Sequence, residues 1–409
     1  MGSLNRTSVF DAAEFVEPDA IFDVVRRYTL DTFPEKVNLS AGAYRDEEGK
    51  PWLLPSVRLA EKKIAGADHE YSPMLGLRPF RDACYELLLH GTKALAEGRL
   101  AGVQSLSGTG ALLLAGMALN KSNAGIRNVY LTDPTWPNHE LLFETMGYNV
   151  KYLPYYAPTT CSFDFDAFVE GLRQAEPNSA VILHACAHNP TGCDPTREQW
   201  QEIATVIQSK GLYPVFDSAY LGFNAGSVDE DAWPIRYFVE DLRLEAAICM
   251  SFSKNMGLYG ERVGAVVFVN STKEAAVVVQ SILENAQRAT ISMPPLYGAR
   301  LAEAVLNTPE IKKQWDEDLV TMSGRITTMR RRVFEELVTL GTPGDWSHIV
   351  KQSGMFGFLG LSSAQVGHLE KEYHVYMAST SRISIAGLNE SNVEYFAKAL
   401  DATVRTIAL

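Results

Sequence analysis

Strand-length apolar runs alternate with helix-length segments through the middle of this 409-residue chain. Strands separated in this way pair as a mostly parallel sheet, and helices cover both of its faces. We therefore predict an α/β fold with a large domain built on such a sheet, and the length allows a second domain. The predicted strands are Asn128–Leu131, Asn149–Leu153, Ala180–His184, Leu212–Phe216, Ala246–Ser251 and Val263–Val269.

The pattern changes towards the C-terminus. A long predicted helix, Glu310–Leu340, is followed by short strands near Met355–Leu361 and Arg382–Ala386, and by a helix that begins at Asn389. This order of elements predicts a smaller α+β domain. We assign an N-terminal arm to residues 1–15, the small domain to residues 16–49 with 320–409, and the large domain to residues 50–319.

Local patterns give finer predictions. Val37–Tyr44 predicts a strand, and Pro79–Ala96 predicts one long amphipathic helix. The motifs Thr196-x-x-Gln199 and Ser391-x-x-Glu394 have the spacing of capping boxes, so each predicts the start of a helix.

Charge and cysteine content exclude several classes of function. The chain has 37 basic and 49 acidic residues, a formal net charge of -12, which argues against binding to nucleic acid or to an anionic membrane surface. Its five cysteines include no C-x-x-C pair, so we predict reduced thiols in a reducing compartment. Without an apolar run of membrane-spanning length or a signal-peptide core, we expect a cytoplasmic protein.

A lysine stands between two predicted strands, in the segment Ser251–Gly264. Lys254 can form a Schiff base with a carbonyl, and this chemistry is best known from pyridoxal phosphate (PLP) catalysis. Ser251, Ser253 and Arg262 can donate hydrogen bonds to the phosphate of such a cofactor. The alternative for a lone S-x-S-K pattern is a lysine in a surface loop.

The run Ser107-Gly108-Thr109-Gly110 lies where a predicted strand passes into an apolar helix. Small residues allow the backbone to approach an anion closely, and the N-terminus of a helix offers free N–H groups and a favourable dipole. This run therefore predicts a phosphate site. The alternative is that it only caps the helix.

Polar residues follow two further predicted strands. Asn189 precedes a proline, which disfavours a helical backbone and leaves its amide available to a cleft. Asp217 and Tyr220 follow the strand Leu212–Phe216, where open α/β sheets bind ligands. Asp217 could pair with a protonated pyridine nitrogen, and Tyr220 could donate to a phenolic oxygen. The alternatives are an Asn-Pro turn and a helix N-cap.

Four more residues are candidates for the site. The indole of Trp136 could stack on a heteroaromatic ring, and His139 could orient a buried carboxylate, although a core tryptophan and a core histidine are the alternatives. Arg288 and Arg382 lie in apolar surroundings, where a guanidinium is costly unless an anion pairs with it. A substrate carboxylate could do so through two hydrogen bonds.

Together these segments resemble the class I PLP-dependent aminotransferases, and among them the aspartate aminotransferases of eukaryotic type. The resemblance covers nearly the whole chain and keeps the family's order. It implies the type I fold of PLP-dependent transferases, with a helix-sandwiched sheet in the large domain and a smaller α+β domain. The matching motifs are NLSAGAYRDEEGKPWLLP, EYSPMLGLRPFR, QSLSGTGAL, HACAHNPTG, FDSAYLGF, DAWPIRYF, SFSKNMGLYGERVG and SRISIAGL.

The resemblance implies how the cofactor would be held. Lys254 would bind PLP as a Schiff base and carry a proton during the reaction. Asp217, with His139 behind it, would stabilise the pyridinium, and Tyr220 and Asn189 would contact the phenolic oxygen. No metal ion is implied. Trp136 would stack on the ring, and the ligands of the phosphate would be Ser107, Gly108, Thr109, Ser251 and Arg262.

The resemblance also implies the substrate contacts and the assembly. Arg382 would bind the substrate α-carboxylate near the backbone of Gly42, beside Trp136 and Asn189. Arg288 would bind the distal carboxylate, and Tyr71 would contact the phosphate. Family members donate both of these residues across a dimer, so a homodimer with shared active sites is implied.

The implied reaction converts L-aspartate and 2-oxoglutarate into oxaloacetate and L-glutamate by a ping-pong mechanism. The chain departs from the family's pattern only at the substrate end, and these departures keep open a paralogous PLP enzyme with another amino-acid substrate. Such an enzyme could also divert the carbanion to elimination, decarboxylation or cyclisation. A non-catalytic binding protein is a third hypothesis. The departures are Ser40, Ala41, Ile291, Met293 and Ser381.

Overall fold

A central sheet of seven strands organises the computed structural model, which describes residues 8–17 and 20–407. Short two-stranded sheets lie beside it. In chain order the strands are β1 Val37–Asn38, β2 Leu100–Leu106, β3 Asn128–Asp133, β4 Asn149–Pro154, β5 Tyr156–Ala157, β6 Ser162–Phe163, β7 Ala180–His184, β8 Tyr213–Ser218, β9 Ala246–Ser251, β10 Val263–Val269, β11 Phe356–Phe358, β12 Val375–Tyr376 and β13 Arg382–Ser384.

The central sheet has the order β2-β10-β9-β8-β7-β3-β4. The pairs from β9 to β4 are parallel, and β10 is antiparallel to both of its neighbours. All residues of β7, β9 and β10 are buried, as expected for strands covered by helices on both faces. The prediction of an α/β fold with a mostly parallel sheet is confirmed.

Helices pack against both faces of the sheet and against each other. The described residues include a short π-helix, Tyr237–Asp241, and a 3₁₀ turn, Ile385–Gly387. The α-helices are α1 Ala20–Leu30, α2 Pro55–Lys63, α3 Arg78–Leu89, α4 Lys93–Ala96, α5 Ser107–Leu119, α6 Asn138–Thr145, α7 Phe165–Gln174, α8 Arg197–Lys210, α9 Val228–Asp231, α10 Trp233–Arg236, α11 Lys273–Thr290, α12 Tyr297–Asn307, α13 Pro309–Leu340, α14 His348–Lys351, α15 Ser363–Tyr373 and α16 Val393–Thr406.

The predicted strand Val37–Tyr44 is wrong beyond its first residues, because β1 ends at Asn38. The side-chain carbonyl of Asn38 accepts hydrogen bonds from the backbone N–H of Ser40 (3.0 Å) and from its hydroxyl (2.7 Å). Asparagine often bonds the backbone two residues on in this way, and the resulting turn competes with the ladder of a sheet. The chain therefore leaves the strand at the position where it enters the site.

The predicted helix Pro79–Ala96 is also wrong in its extent, because it is divided into α3 and α4. Gly91 has a φ of 75°, which a continuing right-handed helix does not allow. Thr92 then caps α4 by accepting a hydrogen bond from Leu95 N. The two elements are therefore separate helices.

One of the two predicted capping boxes is confirmed. Thr196 and Gln199 bond reciprocally at the start of α8. The box Ser391-x-x-Glu394 is wrong, because α16 begins at Val393 and the hydroxyl of Ser391 donates to Asn389 Oδ1 instead (2.7 Å).

The N-terminal segment packs onto the C-terminal part of the chain. β1 pairs with β12, and Arg27 of α1 pairs with Glu370 at 2.6 Å. The domain division stays a prediction, and α13 runs across its proposed boundary at residue 320. Residues 1–7 of the predicted arm lie outside the described residues, and residues 8–15 are exposed. Among the described residues, no helix is both long and apolar enough to span a bilayer.

Candidate active site

The predicted site residues converge at one edge of the central sheet. β7, β8 and β9 are mutually parallel. β10 lies between β9 and β2 in the sheet and is antiparallel to both, so β2 runs in the same direction as β9. The carboxyl ends of all four strands therefore meet at one edge, which is where open α/β sheets bind ligands. These ends lead to Ser107, Asn189, Asp217 and Lys254.

A cluster of hydroxyl groups lies at the N-terminus of α5. Ser107 Oγ is 2.7 Å from both Ser251 Oγ and Ser253 Oγ. Arg262 Nη1 donates to Ser253 Oγ at 3.4 Å. Gly108 and Thr109 follow Ser107 in the first turn of the helix. Hydroxyl donors, a guanidinium and free helical N–H groups at one point form a site suited to a phosphate.

The close approach of two backbones shapes this cluster. A Cβ at Gly264 would lie 2.4 Å from Met250 O and 2.9 Å from the carbonyl carbon of Ser107. Both contacts are with buried backbone atoms, one in β9 and one at the start of α5, which cannot move away cheaply. Glycine is therefore required at this position for β10 to pack behind the hydroxyl cluster.

We predict that Gly264→Ala lowers the free energy of unfolding by about 1–3 kcal/mol, the usual cost of overpacking a core. It should also weaken phosphate binding, because relief of the clash displaces Ser107. Thermal unfolding and phosphate titration would measure these effects. Gly260→Ala is the matched control, since a Cβ at Gly260 meets no atom within 4 Å. Equal stability of the two variants would contradict the prediction.

Lys254 lies at the centre of the site. Its ammonium donates to the carbonyl of Gly42 and is 4.9 Å from the ring centroid of Tyr259. Burial lowers the pKa of Lys254 to about 8, and the positive charges of Arg262 and Arg382 act in the same direction. A lysine with such a pKa is partly neutral near pH 7, and only the neutral amine is a nucleophile.

Asp217 and His139 form a buried pair behind Lys254. His139 Nε2 is 3.0 Å from Asp217 Oδ2, and His139 Nδ1 is 2.8 Å from Thr135 Oγ1. Burial by itself raises the pKa of Asp217, but the hydrogen bond and charge of His139 lower it below its usual value. Asp217 is therefore a carboxylate, and it can stabilise a cation in the site.

Sequence reasoning missed two buried histidines, although both stand in the motif HACAHNPTG. His184 Nδ1 accepts a hydrogen bond from Asn189 N at 3.2 Å, and its ring lies 5.3 Å from that of His139. The His188 ring lies 4.3 Å from that of His184. Burial lowers the pKa of His184 to about 3, helped by the charge of His139, so His184 is neutral. A histidine as the last residue of a buried strand was the available signal.

Of the side chains predicted to face the cofactor ring, Asn189 and Tyr220 are buried and Trp136 is half-buried. Asn189 Oδ1 has no hydrogen-bond partner within residues 8–17 and 20–407, so it can accept one from a ligand. Burial raises the pKa of Tyr220, followed by the charge of Asp217, so its hydroxyl keeps its proton. The Trp136 ring meets the His139 ring edge-on at 5.3 Å.

Arg382 is the first residue of β13. Its Nη2 donates to Ser40 O at 3.1 Å, and its guanidinium lies 4.4 Å from the ring centroid of Phe356. Ser381 has a φ of 65°, in the left-handed region that favours glycine over other residues. Ser381 Oγ accepts a hydrogen bond from Leu361 N at 3.2 Å, so its side chain holds the adjacent loop.

Tyr71 and Arg288, which were predicted to act in a partner's site, are both exposed on the protomer. The side chain of Tyr71 is 82% exposed. Arg288 lies in the last turn of α11, and its Nη1 donates to Ser292 Oγ. Exposure leaves both side chains available to a second subunit.

The chain is similar in sequence to known aminotransferases along nearly its whole length. The family model described as aminotransferase class I and II matches residues 34–400. The cytoplasmic aspartate aminotransferase of Schizosaccharomyces pombe is 45% identical over 405 residues, which cover 97% of this chain and 98% of that relative.

Solved structures agree with this match. The aspartate aminotransferase from the cytoplasm of Saccharomyces cerevisiae has a TM-score of 0.95 at 44% identity, covering 98% of this chain and 99% of that chain. An aromatic-amino-acid aminotransferase from Burkholderia pseudomallei, covalently bound to pyridoxal phosphate, has a TM-score of 0.94 at 39% identity, covering 97% and 100%. The predicted family and fold are thus confirmed, and the chain belongs to the class I and II aminotransferases.

Proposed function

We propose that the protein is a PLP-dependent aminotransferase that converts L-aspartate and 2-oxoglutarate into oxaloacetate and L-glutamate. The observation that carries the proposal is the half-buried Lys254 amine, whose pKa is lowered by desolvation and which interacts electrostatically with the carboxylate of Asp217 and the guanidinium of Arg382. The relatives named aspartate aminotransferase support this choice of substrate.

The donor set fits PLP. The hydroxyl cluster and Arg262 suit its phosphate, the carboxylate of Asp217 suits a protonated ring nitrogen, and the unsatisfied Asn189 Oδ1 suits a hydroxyl donor. When bound, PLP supplies an electron sink for the carbanion that forms at the substrate Cα. The residues proposed to hold it are Ser107, Gly108, Thr109, Trp136, His139, Asn189, Asp217, Tyr220, Ser251, Lys254, Arg262 and, from a partner, Tyr71.

The side chains of the site have separate roles in the proposed reaction. Arg382 binds the substrate α-carboxylate next to the backbone of Gly42, and Trp136 and Asn189 border the same space. Lys254 Nζ removes the proton from Cα and later returns a proton, which its pKa of about 8 permits near neutral pH. His139 holds Asp217 in place by its hydrogen bond of 3.0 Å.

We also propose a homodimer, because the exposed Tyr71 and Arg288 complete the site only if a second subunit supplies them. Arg288 would bind the distal carboxylate of aspartate. Size-exclusion chromatography with light scattering gives the mass, and mixing Lys254→Ala with Arg288→Ala tests the sharing. A hybrid dimer with one intact site should regain activity, whereas no regain would contradict shared sites.

A second candidate is an enzyme of the same chemistry with another amino-acid substrate or a diverted carbanion. It is favoured by Met293, Ile291 and the bond that Ser292 makes to Arg288, since these surround the proposed distal-carboxylate site. The structural relative from Burkholderia pseudomallei is named as an aromatic-amino-acid aminotransferase.

The deciding experiment is an absorbance spectrum of the PLP-loaded protein before and after addition of aspartate, with no 2-oxo acid present. Conversion to the pyridoxamine form of the cofactor with release of oxaloacetate would support the first proposal. Conversion only by another amino acid would favour the second candidate, as would a product other than the 2-oxo acid.

The pKa of Lys254 predicts how the cofactor-free protein captures PLP. The rate should rise about tenfold per pH unit below pH 8 and level off above it, because only the neutral amine reacts. A lysine of ordinary pKa would keep gaining up to about pH 10.4. Stopped-flow absorbance measures this rate, and a continued rise above pH 9 would contradict the prediction.

Two further parts of the proposal concern the cellular location of the protein and its division into domains. We propose a cytoplasmic location, in line with the name of the Schizosaccharomyces pombe relative, and fractionation of cells tests it. We also propose that residues 16–49 and 320–409 form the small domain and residues 50–319 the large one. Limited proteolysis should cut near the first boundary, where residues 47–51 are exposed, whereas α13 should protect the second.

A further inference from the structure

Two segments of the site are interlocked through their backbones. We call residues 187–194 the Asn189 loop and residues 353–356 the Ser353 segment. Ser353 N donates to Gly192 O at 2.7 Å, and a Cβ at Gly192 would lie 2.7 Å from Phe356 O. A Cβ at Gly354 would lie 2.3 Å from Ala187 Cβ. Neither segment can shift without displacing the other.

Asp194 lies at the junction of the two segments. Its Oδ2 accepts the backbone N–H of Ala187 at 2.7 Å, and its Oδ1 accepts that of His188 at 2.9 Å. Ser353 Oγ donates to the same Oδ2 at 2.7 Å. The carboxylate therefore closes the Asn189 loop on itself and binds it to the Ser353 segment.

The Ser353 segment is rigid on its other side as well. Buried Arg330 donates to Ser353 O and Gly354 O, each at 2.9 Å, and to Phe356 O. Burial lowers the pKa of Arg330 to about 10, and the charge of Asp194 opposes that change. Such a guanidinium fixes the carbonyls around it, so a movement of Phe356 is passed on to Ser353.

Each segment carries a different part of the site. The Asn189 loop carries Asn189 Oδ1, which is buried without a hydrogen-bond partner in the described residues and which we propose contacts the cofactor. The Ser353 segment ends at Phe356, whose ring lies 4.4 Å from the Arg382 guanidinium and would touch a Cβ at Gly42 at 3.1 Å. Phe356 thus packs under the proposed α-carboxylate site, and the Asn189 loop borders the cofactor.

We propose that Asp194 is a positioning residue that couples the two halves of the site through its hydrogen bond from Ser353. A carboxylate bound at Arg382 fixes Phe356 and the Ser353 segment, and Asp194 passes this constraint to Asn189. The cofactor contact of Asn189 is then strongest when substrate is bound. This inference rests on the proposed aminotransferase function.

The test compares Ser353→Ala, Asp194→Asn and the double variant with the parent protein. For Ser353→Ala we expect KM for aspartate to rise about fivefold to tenfold with a smaller change in kcat, the size expected when one hydrogen bond to a charged group is lost. The pH midpoint of the absorbance of bound PLP should shift, because the proposed contact of Asn189 with the phenolic oxygen changes the proton affinity of the neighbouring Schiff-base nitrogen. The effects of the two single changes should not add.

Hydrogen exchange of the cofactor-free protein supplies a readout that needs no catalysis. In Ser353→Ala, exchange should accelerate about tenfold in residues 187–194, again as expected for one lost charged hydrogen bond. A parent protein that does not react with aspartate would contradict the proposed function. The exchange measurement would still test whether Ser353 and Asp194 couple the two segments.

Ser391→Ala is the matched control, since Ser391 Oγ donates to Asn389 Oδ1 at 2.7 Å in another loop. It should leave KM, the absorbance midpoint and exchange in residues 187–194 unchanged. Uniformly faster exchange with unchanged KM and midpoint in Ser353→Ala would mean a purely structural bond and overturn the proposal. Additive effects in the double variant would overturn it too.

Discussion

Lys254→Ala is expected to lower kcat for the aspartate reaction by at least about 10⁴-fold, the upper range for loss of a positioned general acid–base group. The variant loses both the amine that attaches the cofactor and the group that moves the Cα proton. The physical basis is the desolvation of the Lys254 amine beside Gly42, which lowers its pKa to about 8 and leaves a fraction of the amine neutral near pH 7. Steady-state and single-turnover kinetics measure the loss.

Two controls separate catalysis from stability. Lys151→Ala removes an exposed lysine that pairs with Glu176, and kcat should stay unchanged. The melting temperature of Lys254→Ala should stay the same or rise, because removal of a partly charged buried amine relieves its desolvation. A Lys254→Ala protein that retains a tenth of the activity would refute the role given to this lysine.

Asp217→Asn is expected to lower kcat by about 10³-fold, the upper range for removal of one preorganised electrostatic group. An amide cannot balance a positive charge on the ring nitrogen, and the pair with His139 loses its charge. Because the pKa of Asp217 lies below its usual value, the carboxylate stays ionised at neutral pH in the parent protein. The spectrum of bound PLP should change along with the rate.

Asp217→Glu retains the charge and serves as the comparison, with an expected loss smaller than that of Asp217→Asn. His139→Gln tests the supporting bond, and it should cost less than either because the carboxylate remains. Similar kinetics for Asp217→Asn and the parent protein would show that the charge is not needed.

Much of the site was predictable because its residues belong to local patterns. Ser107 follows a strand and begins α5, Asp217 lies at the end of β8, and Lys254 follows β9, all as the sequence indicated. The boundaries were less predictable where a side chain competes with the backbone. Asn38 ends β1 early by bonding Ser40, and Asn389 displaces the start of α16.

Other features depend on partners that are distant in the sequence. The positive charge of Arg382 helps to lower the pKa of Lys254, although the two residues are more than a hundred positions apart in the sequence. The ring contact of His184 with His139 arises because β7 and β3, the strand that precedes α6, are neighbours in the sheet. The bond between Asp194 and Ser353 joins residues 159 positions apart. No local pattern contains any of these distances.

By itself the sequence determined the order and type of most elements and the identity of the groups at the strand ends, because hydrophobic period and turn chemistry act over a few residues. The tertiary structure decided which groups meet, which are desolvated and which two segments interlock. Burial and electrostatic interaction depend on the atoms that packing places nearby, so the lowered pKa of Lys254 and the link through Asp194 exist only in the folded chain.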